Sequence, residues 1–127
     1  MKATLFLTLA LAAVTVEPSR AHHSLVAGYL FNKSVTIEGT VAEFLLRSPH
    51  SFLRVDVTDA SGRIETWLAE SGSASQLGRA GIMKDSLRAG DRVLVTGNPS
   101  RDPAERKMHL TSVTRPADGW KWSVDTQ

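Results

Sequence analysis

Between Val35 and Leu46 apolar residues alternate with polar ones, and the alternation slips by one residue near Glu43. Val35, Ile37, Gly39 and Val41 share one face, opposite Thr36, Glu38 and Thr40; after the slip Phe44 and Leu46 take over the apolar role. A period of two over this length is a half-buried strand. One extra residue inside it predicts a bulge or bend, and Gly39 suits a strand that coils.

The rest of the chain fits that curvature. Leu53, Val55 and Val57 mark a second strand, after a turn at Ser48-Pro49-His50. Asp59-Ala60-Ser61-Gly62 is a turn signal that makes a hairpin with a third strand, Arg63 to Leu68. Ser73 is placed to cap a short helix running to Arg79 or Ala80, with Gly81 ending it. Leu87-Arg88-Ala89-Gly90-Asp91 turns into a fourth strand, Arg92 to Thr96, and Lys107 to Thr114 is a fifth. Trp120 and Trp122 lie on one face of a short last strand. The order β-β-β-α-β-β, with a long bent first strand, predicts an all-β, OB-fold-like five-stranded small barrel with one short helix between strands 3 and 4. Closure into a barrel also protects sheet edges.

The N-terminal segment has the form of a secretory signal. Lys2 supplies the positive region, Ala3 to Val16 the apolar one, and Ser19 and Ala21 the small residues of a cleavage site. The apolar run is short of the roughly 20 residues a spanning helix needs. The expectation is a cleaved signal at 1–21, a single barrel domain at 22–127, and a periplasmic or secreted location. No stable membrane insertion is expected after cleavage. The mature chain carries 13 basic and 12 acidic residues and shows no basic stripe, so nucleic acid is not an expected partner. The absence of cysteine excludes disulfides and thiolate metal sites, leaving an ordinary hydrophobic core to hold the domain.

Cleavage after Ala21 makes His22 the first residue. Its α-amine and ring, together with the ring of His23, form a dense nitrogen-donor set of the kind copper and other late first-row metals prefer. Cleavage one residue earlier leaves Ala21-His22-His23, with histidine third, which is also a square-planar Cu or Ni chelate. His50 is the candidate third ligand. The plain alternative is a frayed terminus that binds nothing, with His50 serving only its turn. His109, opposite Met108 and Leu110 on its strand, reads as a surface or packing residue.

Several stretches together resemble a known group. They are His22-His23-Ser24, Val35-Thr36-Ile37-Glu38-Gly39-Thr40-Val41, Pro49-His50, Trp67-Leu68-Ala69-Glu70, Leu77 to Gly81, and Leu87 to Val93. The sequence resembles a family of small exported bacterial proteins of unknown function, over nearly the whole mature chain. The resemblance implies export and the domain boundaries; it implies no activity. The chain departs from the family at Ser48, where Asn is common, and at Gly81-Ile82, where Gly-Trp is common. It also has Gly28 where an acidic residue often follows the His-His-Ser start, which argues against a carboxylate completing a metal site there.

Enzyme chemistry finds little support. Glu65, Glu70, Asp56 and Asp91 fall on separate elements, and no nucleophile elbow, phosphate loop or dinucleotide fingerprint is present. Glu70 is the best single carboxylate, though at that position it reads as a cap for the following helix. The second functional reading is a non-enzymatic interaction module. Its barrel face would present Phe52, Arg54 and Trp67 to a peptide, glycan or envelope protein, or to another small ligand.

Overall fold

The computed structural model describes residues 27–124. Among the described residues the elements follow in the order β1 (Val35–Leu45), β2 (Ser51–Thr58), β3 (Ile64–Ser71), α1 (Ala74–Arg79), β4 (Arg92–Pro99), β5 (Lys107–Arg115) and β6 (Trp120–Ser123). Neighbours in the order β3-β2-β1-β4-β5-β6 pair antiparallel. A parallel pairing of β3 with β5 closes the first five strands into a barrel and leaves β6 as an addition to β5. This is the expected OB-fold-like barrel, with its helix between β3 and β4.

The bend in β1 makes closure possible. Its first half, Val35 to Thr40, pairs with β4, and its second half, Thr40 to Leu45, pairs with β2. The register shifts between Val41 and Glu43, where the alternation slips in sequence. Gly39 lies at a close crossing of β1 and β2: a methyl there would overlap the backbone carbonyl of Asp56 and the side chain of Val55. Glycine is therefore required by space.

Inward-facing positions fill the interior. Val41, Leu53, Val55, Ala69, Val93, Val95, Met108 and Val113 are each no more than 1% exposed. Leu77 of α1, and Ile82 and Leu87 beyond it, join the same core. A capping box starts α1: the Ser73 hydroxyl accepts from the Gln76 backbone, and the Gln76 side chain accepts from the Ser73 N–H. The segment before β1 packs on the outside of the barrel. Tyr29 bridges to Ser100, the Leu30 N–H donates to the Pro99 carbonyl at 2.9 Å, and Tyr29 is only 3% exposed.

Candidate functional site

Strand alternation sets up the site. The inward residues Leu53, Ala69 and Met108 leave Phe52, Glu70 and His109 on the outer face of β2, β3 and β5. Antiparallel register puts Glu70 opposite Phe52, and the parallel closure puts it opposite His109. His50 sits just before β2, and Tyr29 reaches in from the lead-in segment. Glu70 is thus surrounded, and only 8% of it is exposed.

A buried carboxylate is costly unless its oxygens are satisfied. Here the Tyr29 hydroxyl donates to Oε2 of Glu70, and Nδ1 of His50 bonds to Oε1. Lys107 Nζ lies 3.5 Å from Oε2 and 5.5 Å from the centre of the Tyr29 ring. Burial pushes the Glu70 carboxyl upward, but the bonds from Tyr29 and His50 and the charge of Lys107 outweigh it, and the group sits below its ordinary range. An ionised carboxylate only accepts, so the proton on the shared bond belongs to Nδ1 of His50. The other ring nitrogen, Nε2, bonds to no described residue. Tyr29 is driven the other way: burial, and its bond to the Glu70 charge, raise its hydroxyl far above the ordinary range.

His109 completes the cluster by packing. Its ring lies 5.7 Å from that of Tyr29 and 5.4 Å from that of Phe31. Burial lowers its pKa; Glu70 opposes that effect and His50 adds to it. Beside the cluster, Arg47, Ser48, Pro49, His50 and Phe52 line a groove of about 420 Å3. The Arg47 guanidinium lies 5.0 Å from the centre of the Phe52 ring at its edge.

The residues expected from sequence are only partly brought together. His22 and His23 lie outside the described residues. His50 is at the site, where its ring binds the Glu70 carboxylate. Phe52 and Arg54 share the outer face, where Arg54 Nη1 lies 3.3 Å from Glu43. Trp67 does not share that face, which corrects the expected grouping. The hairpin pairs Thr58 with Ile64, and that register carries Trp67 opposite Val55, on the core side. There Trp67 packs against the core, with the Arg106 guanidinium 5.8 Å from its ring.

Glu70 also departs from its expected role. Ser73 and Gln76 already cap α1, leaving Glu70 for the cluster. That signal was present in sequence, since Ser73-x-x-Gln76 is a self-sufficient capping box. Tyr29, Lys107 and His109 carried no such signal, because only the closure of β3 on β5 gathers them. Among the described residues, no group of three or more His, Asp or Glu side chains is arranged to hold a metal ion.

Comparison with known families places the molecule. The model of DUF6152, a family of unknown function, matches residues 10–109. The chain belongs to this family. The DUF6152 match takes in His22, His23, His50, Glu70, Lys107 and His109, and it ends within β5, before β6. No curated protein and no solved structure matches the chain.

Proposed function

We propose that this DUF6152 protein is an exported, periplasmic binding protein without catalytic activity. It holds copper or another late first-row metal through His22 and His23, with His50 as third ligand. The observation that carries this reading is the bond between Glu70 and Nδ1 of His50. A carboxylate on one ring nitrogen fixes the tautomer and aims the other nitrogen outward as a more basic ligand, the arrangement that supports metal-binding histidines generally.

Reach favours the same assignment. Tyr29 binds the carboxylate that holds His50, and His22 is seven residues upstream, a span of up to about 25 Å. Two imidazoles and an amine make a T-shaped set that suits the tetragonal preference of Cu(II).

Calorimetric titration of Cu(II) into a chain beginning at His22 tests this. One-to-one binding, lost in His22→Ala and on adding one residue ahead of His22, is the expected result. Binding indifferent to both changes overturns the free-amine site. The groove beside Phe52 supports a second reading, in which the barrel docks a peptide, glycan or envelope protein. That reading predicts sensitivity to Phe52→Ala and indifference to His22→Ala.

A further inference from the structure

A second pocket, independent of the metal reading, lies between the helix and the end of the β5–β6 pair. It encloses about 290 Å3. Leu77, Leu110 and Val124 give it apolar walls, and Ser71, Gln76, Arg79, His109 and Trp122 supply its polar side chains. The volume is at the small end for ligand sites, which favours a compact molecule over a chain of sugars or residues.

The lining holds a cation and no carboxylate. Trp122 is 8% exposed, and its buried indole nitrogen has no hydrogen-bond partner. An indole N–H can only donate, and a buried donor left unpaired is costly. Nδ1 of His109, which also borders this pocket, is likewise buried and unpartnered. Arg79, which can only donate, makes no ion pair or hydrogen bond with any described residue. The Gln76 side-chain oxygen is already taken by the Ser73 N–H, leaving its amide NH2 as the free end. Arg79 and the Trp122 indole thus border the pocket with no carboxylate among its lining residues to answer them, beside a wall of aliphatic carbon.

We propose that this pocket binds a small organic carboxylate with an apolar body, its oxygens meeting Arg79 and the Trp122 indole N–H and its carbon skeleton lying on Leu77, Leu110 and Val124. A cation facing carboxylate oxygens gives the strong, charge-assisted form of the hydrogen bond. The apolar walls select against bare inorganic anions, which would leave that surface uncovered.

The probe is benzoate, followed through the indole N–H resonances of the 15N-labelled full chain, with Trp122→Phe assigning the Trp122 signal. Benzoate should move that signal saturably, with benzyl alcohol and inorganic phosphate far weaker. Arg79→Gln should weaken benzoate binding about tenfold or more with little change in melting temperature, since Arg79 makes no ion pair or hydrogen bond with any described residue. A Trp122 signal that does not respond to benzoate overturns the proposal. So does an equal response in Arg79→Gln, or a phosphate response as strong as that to benzoate, which would mark an adventitious ion only.

Discussion

Nδ1 of His50 is hydrogen-bonded to Oε1 of Glu70, joining the turn ahead of β2 to the outer face of β3 at the seam where β3 closes on β5. The bond ties the fold to the proposed site. The same carboxylate that holds the His50 ring also holds Tyr29, and Tyr29 anchors the segment that leads back to His22.

Glu70→Gln keeps the shape of the side chain but removes the charge that three neighbours answer. It should destabilise the domain by about 1–3 kcal/mol, read from urea unfolding. With the metal site assembled, it should also weaken Cu(II) about 10–100-fold, the usual cost of losing a carboxylate behind a histidine ligand. A variant of full stability and full affinity contradicts both roles.

Acid should weaken the domain through the same cluster. The Glu70 carboxyl titrates below its ordinary value of 4.5 in the folded chain, so its contribution is complete above that pH and is lost as pH falls through the folded value. His109 acts in the same direction: burial lowers its pKa below 6.5, so stability from the neutral ring fades as acid forces it to charge. Unfolding free energies of wild type and Glu70→Gln should therefore converge as the pH drops below about 4.5. A gap that persists in acid would contradict the assignment.

Gly39→Ala should cost about 1–3 kcal/mol, the range for overpacking a filled site. The added methyl meets the backbone of Asp56, which cannot swing aside as a side chain can. Gly78→Ala is the control. No atom lies within 4 Å of the position its Cβ would take, and removing a helical glycine should be neutral or slightly stabilising. Equal effects at the two positions, by thermal melting, would contradict the close crossing of β1 and β2.

Trp67→Ala should act on stability, because Trp67 packs against the core and carries Arg106 over its ring. A loss of about 1–3 kcal/mol is expected, below the 3–5 kcal/mol of a fully buried aromatic. Cu(II) affinity measured under folding conditions should be unchanged. A stable variant with impaired binding would put Trp67 back among the ligand-contacting residues.

The barrel was legible because its signals are local. The slip near Glu43, the hairpin at Asp59 to Gly62 and the Ser73 cap are each written in a few adjacent residues, and all three occur where read. Trp67 was misplaced for want of register: a one-residue shift in the hairpin moves every side chain to the other face. The Glu70 cluster was hidden for a different reason. Tyr29, His50, Glu70 and the Lys107 and His109 of β5 come from four separate parts of the chain, and only a parallel pairing between non-consecutive strands brings them together.

Pulsed EPR on the Cu(II)-loaded chain beginning at His22 tests the central claim most directly, because it detects the remote nitrogen of each bound imidazole. If His50 binds through Nε2, its Nδ1 is that remote nitrogen. His50→Ala should then remove one imidazole from the modulation, and Glu70→Gln should change its nitrogen couplings without removing it. A spectrum that is the same in all three proteins would show that His50 is not a ligand and would contradict the account.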